Sequence, residues 1–476
     1  MSTGTDLLLI QPPNVQGSLF NLPGTETPLS LLYLAGYMRE KGFRVRVLDL
    51  TLGKAGIGGL ESHLRAYEPA VVGITSYTTN VLLASRVAAT ARAVFPHALI
   101  VLGGFHASAL PERTLREMDD FDAVVYGEGE VTLYELVQAY GDGGARALER
   151  VPGVCTRTDG GPRKNPPRPL IDDLDSLPFP ARDLIPLGRY IPDPGNFMTL
   201  PSTGILFSRG CPYRCTYCSK SVFLDKIRYR SEGHFVEEIE WCIDAFGIRD
   251  FRFYDEGPTH SKGRMVRLCE AILERGLAIN WNCYSRVDTI DEETLRMMKS
   301  AGCYHIKYGI ESGVAATLQR IRKPLDLDRA VRVCAMTKRV GIECKANFII
   351  GFPWEGIREM EQTIRYAKRC APDLATFNLF KPFPGSRLYE ELERSGGLLE
   401  RSWEDYFTTS ETKLFATDIE ESTYRSVLKK AWLSFYLRPR FVCQRLVRLF
   451  RYPRREVLSA WIGIKFLARN MVTRGP

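Results

Sequence analysis

At 476 residues the chain is long enough for two or three domains with sizeable cores. Its 45% hydrophobic and 25% charged residues are the composition of an ordinary globular protein. No apolar run approaches the roughly 18 residues needed to cross a bilayer, and Met1 to Asp6 lack the basic start and cleavage site of a signal peptide, so the expected compartment is the cytoplasm. Nine of the 12 cysteines are scattered singly and read as buried free thiols, which suits a reducing environment.

The first segment alternates short apolar runs with helical stretches. Leu7–Ile10, Val45–Leu48, Ala70–Thr75, Ala98–Gly104 and Ala123–Tyr126 read as strands, with helices between them and a last helix closing near Tyr140. That pattern predicts a parallel sheet with helices on both faces: an α/β, Rossmann-like domain over residues 1–145. Ligands bind such sheets outside the carboxyl ends of the strands. There the chain places Ser76, Gly103, Gly104 and Glu128, which suit close approach of an extended polar ligand and equally suit ordinary turns. Residues 146–200, rich in proline and glycine, read as a linker.

A second α/β unit spans residues 201–400. Its strands are the run through Gly204–Phe207 and then Phe251–Tyr254, Ile279–Tyr284, His305–Ile310, Ala346–Gly351 and Ala375–Phe380. Six βα repeats predict a parallel sheet curled into a partial barrel, with its site at the carboxyl ends of the strands. Residues 401–476 read as a helical region. From Glu421 onward 13 Lys/Arg stand against 2 Asp/Glu, so this tail carries more than the whole net charge of +8. Such a tail can meet nucleic acid, an anionic membrane or an acidic protein; no RNA-recognition or helix-turn-helix signature accompanies it, and nucleic acid is not the expected partner. Trp432, Phe435, Tyr436 and Phe441, interleaved with its arginines, predict amphipathic helices packed on the barrel.

The first strand of that barrel runs into Cys211-Pro212-Tyr213-Arg214-Cys215-Thr216-Tyr217-Cys218, a C-x3-C-x2-C loop with no fourth cysteine nearby. Three thiolates so spaced can occupy three corners of an iron–sulfur cube and leave one iron open. A zinc site completed from elsewhere is the alternative, although zinc sites usually pair two C-x2-C-like motifs. Polar residues also collect where the later strands stop: Asp255-Glu256, Ser285-Arg286, Glu311-Ser312, Gly351 to Glu355 and Pro382 to Ser386.

Through the cysteine loop, Gly309-Ile310-Glu311-Ser312-Gly313, Gly351-Phe352-Pro353-Trp354-Glu355, Pro382-Phe383-Pro384-Gly385-Ser386 and Gly127-Glu128-Gly129-Glu130, the chain resembles the radical S-adenosylmethionine (SAM) superfamily. It is similar in particular to members with an N-terminal cobalamin-binding-type domain. The resemblance implies that Cys211, Cys215 and Cys218 hold a [4Fe–4S] cluster and that SAM chelates the open iron. It implies Tyr217 near adenine, Asp255 and Glu256 at the SAM amino group in place of the usual Gly-Gly-Glu, and Ser285 among the SAM-side residues. It further implies Glu311 and Ser312 at the ribose, and Gly351 where backbone approaches adenine. The cluster would reduce SAM to a 5′-deoxyadenosyl radical that abstracts hydrogen from a small-molecule substrate. An electron donor such as flavodoxin or a reductase, and possible docking of a dedicated reductase on the basic tail, are the implied protein partners. Cobalamin is left open, because Gln11-Pro12-Pro13-Asn14 replaces the histidine motif that some cobalamin domains place there. Two reactions follow. Overall similarity to radical SAM diol dehydratases of the apramycin-biosynthesis kind points to dehydration of a cationic amino sugar; the domain architecture points to cobalamin-dependent methylation. The catalytic acid–base residues stay unassigned.

Overall fold

Residues 6–13, 25–53, 59–193, 195–399, 402–406, 412–439, 441–443 and 445 are described by the structure, a computed structural model. The N-terminal sheet is built from β1 (Leu7–Gln11), β2 (Val45–Asp49), β3 (Val71–Ser76), β4 (Leu99–Gly104) and β5 (Ala123–Val125). These strands are parallel and run in the order β2-β1-β3-β4-β5. Leu7 to Ile10 are sealed on both faces, which is why they read as an unbroken apolar run and not an alternating one. One face is covered by α1 (Leu29–Glu40) and by α6, the last helix of the domain (Glu130–Gly143); the other is covered chiefly by α2 (Leu60–Leu64), α3 (Val81–Val94), α4 (Phe105–Ala109) and α5 (Pro111–Glu117). The order in which strands are added to the sheet reverses between β1 and β3, and such a switch point opens a crevice at the carboxyl ends of the two strands.

The stretch read as a loose linker is not loose throughout. β6 (Val154–Thr158) and β7 (Gly161–Lys164) add two antiparallel strands to the edge of the sheet beyond β5. Asp159-Gly160 makes the tight hairpin between them, a turn signal masked by the surrounding prolines.

The second sheet has six parallel strands in sequence order. They are β8 (Ser202–Ile205), β11 (Asp250–Phe253), β12 (Asn280–Ser285), β13 (Cys303–Glu311), β14 (Glu343–Ile350) and β15 (Leu374–Leu379). Between β8 and β11 lie the small antiparallel pair β9 (Ser208–Arg209) and β10 (Arg228–Tyr229), then α7 (Glu232–Phe246). Helices α8 (Lys262–Glu274), α9 (Glu292–Ser300), α10 (Ala315–Arg320), α11 (Leu327–Arg339), α12 (Ile357–Cys370) and α13 (Arg387–Arg394) complete the repeats. Their apolar faces pack on the outward side chains of the strands, where Phe253 stacks on Trp281 at 4.5 Å and Phe348 on Phe377 at 5.5 Å. Helix α14 (Glu421–Tyr436) lies on α12 and β15 and buries Trp432 and Phe435 there. Arg451, Arg454, Arg455 and most of the basic tail lie outside the described residues. No described helix is long and apolar enough to cross a membrane.

Candidate active site

The cysteine loop is held from three sides. Thr216 donates its N–H to the Ile321 carbonyl at 3.0 Å, at the end of α10, and accepts from Leu388 N at 2.9 Å, in the first turn of α13. Lys220 N reaches the Gly385 carbonyl at 3.2 Å, which explains the position of the Pro382–Ser386 motif: it braces the loop from β15. Its Ser386 also caps α13 by accepting from Tyr389 N at 3.3 Å. All three cysteines are free thiols. Burial raises the Cys211 thiol and pushes Cys218 up to about 12, while the Lys220 ammonium pulls both down and Glu256 pushes them up. Among the described residues these sulfurs do not converge, with other ligand side chains, on a point that could hold a single ion. Separate irons of a cube are what three thiols set apart on one loop can serve, so the donor set fits a cubane cluster.

Around the loop stand the residues expected to meet SAM. Glu256 is open, makes no hydrogen bond among the described residues and is raised by burial, so it presents an unspent carboxylate beside Cys211 and Cys218. Glu311 accepts from Lys323 Nζ at 2.8 Å, and the same ammonium donates to Tyr217 Oη at 3.3 Å. Glu311 holds φ at 71°, a strained value for a residue with a side chain, and such strain gathers at binding sites. Burial and the Glu311 carboxylate keep the Tyr217 phenol well above its usual range. Gly351, at φ 78°, runs so close to Tyr424 that a Cβ would lie 2.5 Å from its ring. Glu355 fastens this turn by accepting from Gly351 N at 3.0 Å, Phe352 N at 3.2 Å and Thr317 Oγ1 at 2.8 Å.

Other expected contacts are already spent inside the protein. Asp255 accepts from Phe207 N at 3.2 Å and from both Ser208 N and Ser208 Oγ, so its carboxylate ties β11 to the start of the cysteine loop. Ser312 is fully buried, bonded to Thr363 at 3.2 Å and capping Val314 N at 3.1 Å. Ser285 is buried against Thr259 at 2.7 Å. Arg286, read in the sequence as a polar strand-end residue, joins the set with two that were not: its guanidinium lies 3.7 Å from the Tyr213 ring, and Asp288 holds it in a fork at 2.8 and 2.7 Å. His260, 5.1 Å from the Tyr213 ring, has a partner on neither nitrogen among the described residues.

The first domain turns its strand ends toward this barrel. Glu128 does not face a ligand: it pairs with Arg209 at 2.9 Å and Arg228 at 2.7 Å, on β9 and β10, while Glu130 meets Arg209 at 2.6 Å. Ser76 is buried and donates to the Gly103 carbonyl at 3.2 Å, and Gly104 is glycine because the Ser76 backbone fills the space of a Cβ. Gly103 alone of these has room for a neighbour. The open surface here is a stacked pair, Tyr77 on Phe105 at 5.6 Å, with 49% and 38% of each exposed. Ser221, on the segment just after the cysteine loop, donates to the Phe105 carbonyl at 3.4 Å, which sets this pair beside that loop. His106 is buried against Trp403, with Nδ1 3.2 Å from Thr78 Oγ1. The exposed aromatic pair at the carboxyl ends of β3 and β4 offers a flat apolar face that would suit the ring of a corrin.

Beneath the cysteine loop the barrel interior is polar. Strands β14 and β15 alternate sealed apolar residues with accessible Lys345, Asn347, Thr376 and Asn378. Arg252, Tyr254, Tyr284 and Lys307 continue this lining on β11 to β13. Tyr254 donates to Glu26 at 2.7 Å and Arg252 pairs with the same carboxylate. Lys307 donates to Asn282 at 2.8 Å. The period-two polar positions were a signal available in the sequence; Glu26 and Asp193, on connecting segments, gave none.

Comparison with known proteins agrees with this division. The B12 binding domain family matches residues 17–137 and the radical SAM superfamily matches 205–367. An uncharacterized methyltransferase of Pyrococcus horikoshii is 34% identical over 435 residues, covering 91% of this chain and 93% of that protein. An anaerobic magnesium-protoporphyrin IX monomethyl ester cyclase of Rubrivivax gelatinosus is 30% identical, covering 80% of this chain and 69% of its own. Among solved structures, the radical SAM methyltransferase TsrM of Kitasatospora setae, with cobalamin and a [4Fe–4S] cluster bound, superposes with a TM-score of 0.70 at 20% identity over 84% of this chain and 80% of its own.

Proposed function

The chain belongs to the radical SAM superfamily, in the branch with an N-terminal B12 binding domain, and from that premise we propose that it activates a carbon of a small, hydroxyl-rich substrate and transfers a methyl group to it. The observation that supports this reading is the join of the two halves at the cysteine loop: Ser221, just after it, donates to the Phe105 carbonyl at 3.4 Å, and Arg209, just before it, pairs with Glu128 and Glu130. The methyltransferases among its relatives support the same fate for the substrate.

When bound, the cluster supplies the electron that splits SAM into methionine and a hydrogen-abstracting 5′-deoxyadenosyl radical, and cobalamin supplies the methyl group. Cys211, Cys215 and Cys218 hold the cluster. Glu256 receives the SAM ammonium, while the Glu311–Lys323–Tyr217 chain fixes the ribose and adenine side. Phe352, stacked on Trp354 at 5.4 Å and edge-on to Tyr217 at 6.3 Å, helps keep water from the radical.

A second reading, radical dehydration of a diol in an amino sugar, is favoured by one observation. The interior carries Glu26, Lys345 and Tyr254, groups able to move protons, which elimination of water requires and methyl transfer to a carbon radical does not. One anaerobic incubation separates the two: cluster-loaded protein with SAM, reductant and the amino sugar neamine, with and without methylcobalamin, analysed by mass. A gain of one methylene that needs cobalamin is the expected result. Loss of water without cobalamin replaces it with dehydration, and absence of 5′-deoxyadenosine overturns both.

A further inference from the structure

Six Lys and Arg residues stand between Arg209 and Arg230, the segment that carries the cysteine loop. Five of them meet a carboxylate. Arg209 pairs with Glu128 and Glu130, Arg214 with Asp225 at 2.7 Å, Lys226 with Asp172, Arg228 with Glu128 and Arg230 with Glu238. Beyond the segment, Arg286 is answered by Asp288 and Lys323 by Glu311. Lys220 is the exception: no carboxylate, that of Glu256 included, lies within 4.0 Å of its ammonium among the described residues.

Lys220 is nonetheless held in place. Its Nζ donates to the Cys211 carbonyl at 2.7 Å, which closes the end of the loop back on its first cysteine, and its own N–H is fixed to the Gly385 carbonyl at 3.2 Å. The side chain is partly buried, so water and salt screen its charge incompletely. The Cys211 and Cys218 thiols, raised by burial, are both drawn down by it. His260, across the Tyr213 ring, adds no second charge: burial, with Arg286 and Lys220, pulls its pKa down to about 4. A cation kept unpaired beside three thiols calls for an anion that arrives with the cofactor. Three thiolates outweigh the positive charge of a cubane core, and each added electron makes the assembly one unit more negative. A fixed positive charge then favours the reduced form, since net charge is one of the quantities that set a cluster's potential.

We propose that Lys220 supplies the counter-charge for reduction of the cluster held by Cys211, Cys215 and Cys218, and so eases the entry of each electron. The step moves one electron and no proton, from a low-potential flavin or iron–sulfur donor that is oxidised in turn. The assignment rests on the radical SAM chemistry proposed above and not on the fate of the substrate.

An anaerobic redox titration of the cluster-loaded full chain, run without SAM and read from the electron paramagnetic resonance signal of the reduced cluster, tests the assignment. Lys220→Met and Lys220→Gln should each lower the ratio of reduced to oxidised cluster at a given potential by about tenfold, the effect of one unit charge several ångströms away in protein. That ratio corresponds to a fall of about 59 mV for one electron. Lys220→Gln can still donate to the Cys211 carbonyl, so it separates the charge from the clasp, and it carries the test alone if Lys220→Met loads no cluster. Lys220→Arg should restore most of the wild-type potential. A wild-type potential in Lys220→Gln overturns the assignment; if that variant also binds SAM more weakly in equilibrium dialysis, the ammonium serves the SAM carboxylate instead. A wild type that takes up no iron and sulfide overturns the cluster reading of the three cysteines and this assignment with it.

Discussion

His106 follows the Gly103-Gly104 turn and sits in the domain where a histidine ligand would attract notice, yet the fold uses its ring as packing. The imidazole is 1% exposed, meets Trp403 edge-on at 4.8 Å and has Nδ1 3.2 Å from Thr78 Oγ1. Burial pulls its pKa down to about 4, with Glu117 pushing weakly the other way and Arg113 adding to the fall. The folded chain therefore keeps it neutral where the unfolded chain, at an ordinary 6.5, takes a proton. Stability is complete above pH 6.5 and is lost as the pH falls toward 4, by up to about 3 kcal/mol from this one ring. Urea unfolding at pH 7 and pH 4.5 should show that slope, and His106→Gln should flatten it; an unchanged slope would remove His106 from the acid response. At this scale the sequence is uneven. The cysteine spacing announces a cluster because the ligands are local, whereas Glu128 and Arg209 lie 81 positions apart and meet only through the fold.

Among the elements, the tightest join is an ion network under the first barrel strand. Glu238 of α7 is sealed from water and pairs with Arg182 at 2.6 Å and with Arg230. Arg182 also donates to the Gly204 carbonyl of β8 at 2.8 Å, so the connector, α7 and β8 are fastened at one carboxylate. Glu238→Gln leaves two buried guanidiniums facing a neutral amide and should cost about 3–5 kcal/mol. Replacing all three with Arg182→Met, Arg230→Met and Glu238→Leu should recover much of it. A loss below about 1 kcal/mol in the single variant would mean that water reaches the site. Strands and helices are legible in the sequence, since apolar runs and 3.6-residue spacing are local properties. The connector is not: its prolines and glycines describe its backbone, while its order comes from Arg182 and from the β6–β7 hairpin, both completed by distant partners.

The whole molecule joins its two domains at the cysteine loop, where the open aromatic pair of the first meets Ser221 of the second through the Phe105 carbonyl. If Tyr77 and Phe105 form the platform for the corrin, the double change Tyr77→Ala with Phe105→Ala should strip bound cobalamin, read from its visible absorbance after gel filtration, and leave the cluster band unchanged. Full retention would show that the corrin rests elsewhere. Sequence foresaw the two α/β units, but assigned Glu128 to a ligand. Motif position shows that a carboxylate stands at a strand end and not which way it turns; here two arginines from the other domain claim it.

That claim bears on how this protein can be dissected. Arg209, two residues ahead of the first cluster cysteine, is neutralised by Glu128 and Glu130 and overlaid on Tyr33, all from the first domain. A fragment starting at β8 would carry Arg209 and Arg228 without counter-ions at the root of its cluster loop. The barrel is thus no self-sufficient module to be excised, transplanted or joined to a foreign partner: its metal-binding loop borrows its footing from the neighbouring domain.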